Sequence, residues 1–79
     1  MLEELTQSQR VVGAKQTRRA LNAGQVKKLF LAKDADPALT APLAELARSA
    51  DIPVEEGATM AQLGAACQIA VAAACCAIL

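Results

Sequence analysis

Short apolar runs recur along the chain, and their pattern predicts four strands. Residues 10–13 predict a brief strand that ends at a glycine, and residues 26–33 predict a strand covered on both faces, because its centre is apolar on both sides. Residues 52–54 predict an edge strand, where a proline removes no ladder hydrogen bond. Residues 71–79 are apolar at every position, as expected for a central strand.

Amphipathic stripes between these runs predict helices at residues 2–9 and 15–23. The second helix ends at Gly24, since glycine adopts the left-handed conformation of a helix stop without steric cost. One stripe of this helix is small and apolar, and the opposite stripe is basic. The stripe predicted to be buried consists of Thr17, Ala20 and Leu21.

The C-terminal half predicts two further helices. Proline lacks an N–H and its ring clashes with the preceding helical turn, so Pro42 places the main helix at about residues 40–49. Thr59 and Gln62 fit a capping box at the start of the last helix. Gly64 inside that helix predicts close packing against a neighbour. The buried stripe predicted for the main helix consists of Leu39, Leu43, Leu46 and Ala47.

Strands and helices alternate, so we predict an α/β fold with a small mixed four-stranded sheet between helices. The length of 79 residues suffices for a single domain, residues 1–79. Aromatic residues make up 1% of the chain, and Phe30 is its sole ring. Because the chain offers no aromatic surface for stacking single-stranded bases, an RRM-type binding face is disfavoured.

Cysteine usage and the chain ends narrow the class of protein. Three cysteines (Cys67, Cys75 and Cys76) occur with no C-x-x-C pair and no histidine, which argues against a zinc site and a disulfide framework. We expect them to be buried in a reducing compartment. No apolar signal core is visible, and the apolar tail at residues 65–79 is shorter than the roughly 20 residues of a helical span. These features predict a soluble, cytoplasmic protein without membrane or metal. We also expect a monomer that uses no cofactor.

The formal net charge of zero hides a separation of charge along the chain. Residues 1–33 contain seven basic and two acidic residues, whereas residues 34–79 contain one basic and six acidic residues. From Arg10 to Lys28, six basic residues occur without an acid. Such a chain presents a positive face to phosphates while it stays neutral overall, although a solvated helix face is the ordinary explanation of a charge run.

The residue types do not supply a catalytic arrangement: neither a Ser/His nor a Cys/His pair nor a phosphate-binding glycine motif is present. The best candidate site is instead the segment 13–19, where a predicted strand turns into a predicted helix. The free N–H groups and the dipole of a helix start favour phosphate. Lys15 and Arg19 share a helix face, and Gln16 both donates and accepts hydrogen bonds, as reading a base edge requires.

Five stretches resemble a known family in their order and spacing: GAKQT (13–17), AKDADP (32–37), IPV (52–54), LGAAC (63–67) and IAVAAA (69–74). The chain resembles the ribosomal protein L7Ae family of kink-turn RNA-binding proteins, above all its small bacterial ribosome-associated members. The resemblance implies an α-β-α sandwich that binds a kink-turn, a short asymmetric bulge beside tandem sheared G·A pairs. It also implies structured RNA as the partner and an association with the ribosome.

The resemblance implies two groups of RNA contacts. The strand-to-helix turn would enter the groove at the G·A pairs. The residues that the resemblance assigns to this turn are Gly13, Lys15, Gln16 and Arg19. Asp36 matches an acidic position near the RNA, but capping of the following helix is its more secure role.

The second group is an apolar loop before the last strand, residues 68–72, which in the family covers the extruded bulge nucleotides. Ile69 and Val71 would lie against those bases, although both also fit the start of the core strand. The loop departs from the family pattern, since Gln68 replaces a usual glycine and Ala70 a usually polar residue. Met60 stands where many members have lysine.

Two rival functions remain on the sequence alone. One is a module that docks on ribosomal or RNA-processing proteins through its acidic half, although a solvated surface explains those acids as well. The acids concerned are Glu45, Asp51, Glu55 and Glu56. The other is a small ligand-binding or enzymatic α/β protein, which the missing cluster of titratable residues disfavours.

Overall fold

A computed structural model describes residues 9–79, so the helix predicted for residues 2–9 lies, but for its last residue, outside the described part of the chain. Within that part, three helices alternate with four strands. In chain order the elements are β1 (Arg10–Val12), α1 (Ala14–Asn22), β2 (Lys28–Leu31), α2 (Pro37–Ser49), β3 (Val54–Glu55), α3 (Met60–Ala66) and β4 (Cys75–Ile78).

The four strands form one mixed sheet in the order β1-β4-β2-β3. Strand β4 pairs antiparallel with β1 and with β2, and the short edge strand β3 pairs parallel with β2. The predicted mixed four-stranded sheet is therefore confirmed, including the central position of β4. Two predicted boundaries were wrong, because β2 is shorter than residues 26–33 and β4 starts at Cys75 instead of residue 71.

Helices cover both faces of the sheet, which confirms the predicted sandwich. Helices α1 and α2 pack on one face through Ala20, Leu21, Leu43, Ala44 and Ala47, against the buried side chains of Leu29, Leu31, Cys75 and Ala77. Helix α3 packs on the other face. Its cluster joins Leu63, Ala66 and Cys67 to Phe30, Cys76 and Ile78. With one aromatic ring in the chain, the two cores consist mainly of small and aliphatic side chains.

Helix α1 begins and ends at glycines with positive φ. Gly13 has a φ of 94° at the N-cap, and Gly24 has a φ of 70° after the C-cap residue Ala23. The amides of Gly24 and Gln25 donate to the carbonyls of Leu21 and Ala20, which is the hydrogen-bond pattern of a Schellman stop. The predicted helix stop and the buried stripe are both confirmed.

Helix α2 starts three residues earlier than predicted. Asp36 caps it by accepting a hydrogen bond from the Ala38 amide at 2.9 Å, and Pro37 occupies the first helical position, where its missing N–H costs nothing. Pro42 lies inside the helix, contrary to the sequence-based boundary, and removes one bond to the exposed Ala38. Leu39 was wrongly predicted as core. It is 41% exposed, in a groove between α1 and α2.

Helix α3 opens with the predicted capping box. The Thr59 hydroxyl accepts from the Gln62 amide at 3.1 Å, and the Gln62 side chain accepts from the Thr59 amide at 2.9 Å. Gly64 allows the backbone of Val71 to lie directly on the helix, since a Cβ at this position would stand 2.3 Å from the Val71 carbonyl oxygen. This contact explains why β4 starts late: residues 71–73 pack on α3 before the strand begins. None of the helices in residues 9–79 is long and apolar enough to span a membrane.

Replacing Gly64 with alanine tests this packing. We expect Gly64→Ala to lower the free energy of unfolding by about 1–3 kcal/mol, because the added Cβ forces the Val71 backbone away from α3. Urea denaturation followed by circular dichroism measures the change. Gly57→Ala is the matched control, since a Cβ there meets nothing within 4 Å. Equal stability of Gly64→Ala and the wild type would contradict the packing.

Asp36 allows capping to be separated from charge. We expect Asp36→Ala to lower the free energy of unfolding by about 1 kcal/mol, because the Ala38 amide loses its acceptor. Asp36→Asn keeps an acceptor oxygen and is expected to retain most of the wild-type stability. Thermal unfolding of the two variants makes the comparison. Equal destabilisation by both would show that the carboxylate charge, and not the cap, stabilises α2.

Candidate nucleic-acid interface

The strand directions gather three chain segments at one end of the sheet. Strands β1 and β2 both run antiparallel to β4, so both end where β4 begins. The Gly13 amide donates to the Cys75 carbonyl at 3.0 Å, and the Ala32 amide donates to the Ala74 carbonyl at 2.9 Å. The turn after β1, the loop after β2 and the loop before β4 are therefore neighbours, although Gly13 and Cys75 are 62 positions apart in sequence.

The turn after β1 exposes the residues predicted for groove contacts. Lys15, Gln16 and Arg19 are all exposed on the first turns of α1, and residues i, i+3 and i+4 share one helix face. Gly13 has no side-chain oxygen to cap the helix, and no acid lies in the first turn. The first amides of α1 therefore remain open to an anion, as helix starts that bind phosphate require.

The buried side of the same helix anchors the turn. Thr17 is fully buried under the exposed basic residues, and its hydroxyl has no hydrogen-bond partner within residues 9–79. That hydroxyl faces the Cys75 thiol. Burial raises the pKa of Cys75, and the neighbouring Thr17 hydroxyl offsets part of the rise. The contact joins α1 to the first residue of β4, directly behind the candidate site.

The six basic residues of the acid-free run do not form one face. Arg10 donates to the Cys67 carbonyl at 2.8 Å, and Lys28 pairs with Glu55 at 3.3 Å, at the β2–β3 edge. Lys27 precedes β2, at the opposite end of the sheet. The run is thus divided among three parts of the fold. The basic residues of this run that belong to α1 are Lys15, Arg18 and Arg19.

One basic residue that lies near the site was not assigned to it from the sequence. Lys33 is exposed just after β2, and its amide donates to the Ala58 carbonyl at 2.8 Å. The order of the elements could have indicated this position. Strands β1 and β2 run in the same direction, so the residues that follow each of them lie at the same end of the sheet. The next residue, Asp34, accepts a hydrogen bond from the Met60 amide at 2.8 Å. It fixes the start of α3 beside the loop after β2.

The apolar loop predicted for bulge nucleotides lies at the same sheet end. Ile69 and Val71 are 37% and 69% exposed, so neither belongs to the core strand. Gln68 has a φ of 61°, the left-handed conformation that glycine adopts without strain. The amides of Gln68 and Ile69 donate to Ala65 and Gly64, completing a Schellman stop on α3. The substitution of the usual glycine therefore leaves the stop intact.

The loop is held in one shape by contacts at both ends. The stop on α3 fixes its first residues, and the Val71 backbone rests on Gly64. The Ala73 amide then donates to the Met60 carbonyl at 3.0 Å. The exposed side chains of Ile69 and Val71 therefore project from a backbone that is fixed by hydrogen bonds and packing. A preformed apolar surface binds a partner without the entropic cost of ordering a loop.

The three cysteines are free and buried in the described part of the chain. Burial raises the pKa of Cys76, and the neighbouring Cys67 thiol raises it further. The Cys76 thiol therefore stays protonated near neutral pH, as a buried small hydrophobe does. Among residues 9–79, no group of three or more potential ligand side chains is placed to hold a metal ion.

Similar proteins share nearly the whole length of this chain. An RNA-binding protein of Geobacillus sp. strain WCH70 is 45% identical over 69 residues, which cover 87% of this chain and 84% of that protein. An RNA-binding protein of Bacillus pumilus is 42% identical over 78 residues, covering 98% and 95% of the two chains.

Solved structures show the same fold. A protein of unknown function from Bacillus halodurans superposes with a TM-score of 0.87 at 25% identity, covering 98% of this chain and 81% of the other. The 15.5kD RNA binding protein of Giardia lamblia superposes with a TM-score of 0.85 at 22% identity, and this chain covers 66% of it. Residues 2–79 match the model of one family, and the chain belongs to the ribosomal protein L7Ae/L30e/S12e/Gadd45 family.

Proposed function

We propose that this protein binds structured RNA without catalysing a reaction, and that it recognises and stabilises kink-turns. One observation carries the proposal. An exposed turn with cations and open amides lies at the same end of the sheet as an exposed apolar loop, and the bond from the Gly13 amide to the Cys75 carbonyl joins the two regions. A kink-turn offers the matching pair of features, a phosphate-lined groove at its G·A pairs and unstacked bulge bases.

The relatives support the coarser part of this proposal. The two bacterial proteins described above are named RNA-binding proteins, and the family name includes ribosomal proteins. The residues of the turn support the finer part, since GAKQT at residues 13–17 is the stretch through which the resemblance implies contact with G·A pairs. The family name also favours ribosome-associated RNA as the target.

In the proposed complex each part of the site acts on a different feature of the RNA. The cations Lys15 and Arg19 and the open amides of α1 neutralise phosphates, which makes the affinity dependent on salt. Gln16 pairs with a guanine edge at the sheared pairs, where its amide satisfies both a donor and an acceptor. Ile69 and Val71 cover the extruded bases and exclude water from them.

The protein stabilises the kinked RNA because it binds that form better than the extended form. A shift of the RNA from 1:99 to 99:1 in favour of the kink requires about 5.5 kcal/mol of differential binding. Contacts to the turn and to the loop contribute to this difference only if both regions engage the same RNA at once. The extended form separates the G·A groove from the bulge bases, so it satisfies one region at a time.

A gel-shift experiment tests the proposal. The RNAs are a kink-turn with intact G·A pairs, the same RNA with those pairs replaced by Watson–Crick pairs, and a straight duplex of equal length. We expect tight binding to the first RNA only. Equal binding to the kink-turn and the duplex would refute kink-turn recognition. In a separate pull-down experiment, a protein partner that stays bound after nuclease treatment would favour the rival role of protein docking.

Gln16 is expected to supply base selectivity. Gln16→Ala should lose roughly 1–3 kcal/mol of binding to the intact kink-turn, because the guanine edge loses its partner. Binding to the straight duplex should change little, since phosphate contacts remain. Fluorescence anisotropy with labelled RNA measures both. Gln25→Ala is the control, since Gln25 is also exposed but follows α1. A loss that is equal for both RNAs would remove Gln16 from base recognition.

Arg19 is expected to act through its charge. Arg19→Ala should weaken binding and reduce the slope of log Kd against log salt by about one, the effect of losing one phosphate contact. Anisotropy titrations at several salt concentrations give the slope. Arg48→Ala, which removes an exposed cation from the last turn of α2, should leave the slope unchanged. An unchanged slope in Arg19→Ala would show that its guanidinium contacts no phosphate.

A further inference from the structure

Arg10 makes a partly buried hydrogen bond within the protein, which its place in the basic run of the sequence does not predict. It starts β1, and its Nη2 atom donates to the Cys67 carbonyl at 2.8 Å in partly buried surroundings, across 57 positions of sequence. Cys67 is the C-cap residue of α3. The guanidinium therefore ties the start of the first strand to the end of the last helix.

The direction of the Arg10 side chain follows from strand geometry. Side chains alternate between the two faces of a sheet, so Arg10 and Val12 point to the same side. Val12 packs against the cluster under α3, whereas Val11 packs against the cluster under α1 and α2. Arg10 consequently lies on the α3 side, over the sheet and next to the end of that helix.

The acceptor is suited to a guanidinium. The last carbonyls of a helix have no partner within the helix and carry the negative end of its dipole. Cys67 also stands immediately before Gln68, the residue with positive φ at which the apolar loop leaves α3. A donor fixed on the Cys67 carbonyl thus fixes the point and direction of departure of the loop.

Arg10 also belongs to the strand that delivers the other half of the site. Strand β1 is three residues long and ends at the Gly13 turn. The Arg10–Cys67 bond therefore links the start of the strand that leads into the turn to the base of the loop, separate from the link between Gly13 and Cys75. Two links at different positions fix the relative orientation of the two halves as well as their distance.

We propose that Arg10 is a positioning residue that sets the apolar loop relative to the Gly13 turn, and that it does so without contacting RNA. This inference rests on the proposed recognition of kink-turns. The inference predicts a specific defect. Without the Arg10 contact, the turn still binds phosphates, but the loop is displaced and no longer contacts the extruded bases.

The experiment compares two RNAs and three variants. The first RNA is an intact kink-turn, and the second is the same RNA with abasic residues in the bulge. Arg10→Met removes the donor and keeps side-chain length, Arg10→Lys keeps a charged donor, and Arg48→Met is the control cation variant. Anisotropy gives the affinity and its salt slope, and thermal unfolding shows which variants are folded at the assay temperature.

In the wild type, we expect the intact RNA to bind better than the abasic RNA. Arg10→Met should reduce this advantage by about tenfold or more, since tenfold is the lower limit for a hydrogen bond to a charged group. Its affinity for abasic RNA and its salt slope should match those of the wild type. Arg10→Lys should recover most of the advantage, and it carries the test if Arg10→Met does not fold.

Three results would overturn the inference. An equal loss for both RNAs would indicate a general structural role, and a flatter salt slope would indicate that Arg10 contacts phosphate. An unchanged advantage of the intact RNA in a folded Arg10→Met would show that the loop needs no such link. Failure of the proposed function is distinct from these results, since the wild type would then bind a kink-turn no better than a straight duplex.

Discussion

The antiparallel pairing of β4 with both β1 and β2 is the constraint on which the candidate site depends. It places the ends of two strands beside the start of a third, so that the Gly13 turn, the loop after β2 and the apolar loop meet at one end of the sheet. The hydrogen bond from the Gly13 amide to the Cys75 carbonyl continues this pairing by one residue beyond β1. Chain segments far apart in sequence are thereby brought close together in the fold.

Small residues make this arrangement possible. Gly64 lets the chain before β4 lie directly on α3, and most positions of the surrounding core cluster are alanines and cysteines, so the layers approach closely. The late start of β4 is a direct result, because residues 71–73 follow the surface of α3 instead of the sheet ladder. The same packing that shortens the strand leaves Ile69 and Val71 exposed. Packing and the proposed RNA contact therefore depend on the same stretch of chain.

Much of the fold was predictable from local signals. The capping box at Thr59, the helix stop at Gly24 and the cap at Asp36 are each determined by neighbouring residues, and all three occur as predicted. Pro42 misled the prediction of α2, because a single proline on an exposed helix surface removes one bond without ending the helix. The prediction that Leu39 is buried failed for a different reason. Helical spacing identifies an apolar position but does not show whether a neighbouring helix covers it.

The site was predictable in its first half and less so in its second. Exposure of Lys15, Gln16 and Arg19 follows from their helix face, which the sequence shows. Continuous apolar sequence gave no means of telling where the loop ends and β4 begins, because Gly64 and Met60 decide that boundary through contacts distant in sequence. Arg10 and Lys28 looked like members of one basic face, but their acceptors, the Cys67 carbonyl and Glu55, become neighbours only in the folded protein.

Fluorescence resonance energy transfer between dyes on the two stems of a kink-turn RNA tests the central claim most directly. At low magnesium, where the free RNA is extended, addition of the protein should bring the dyes together. The change should be absent when the G·A pairs are replaced by Watson–Crick pairs. If the protein binds the intact RNA while the dyes stay apart, or brings them together in both RNAs alike, the account of the site is contradicted.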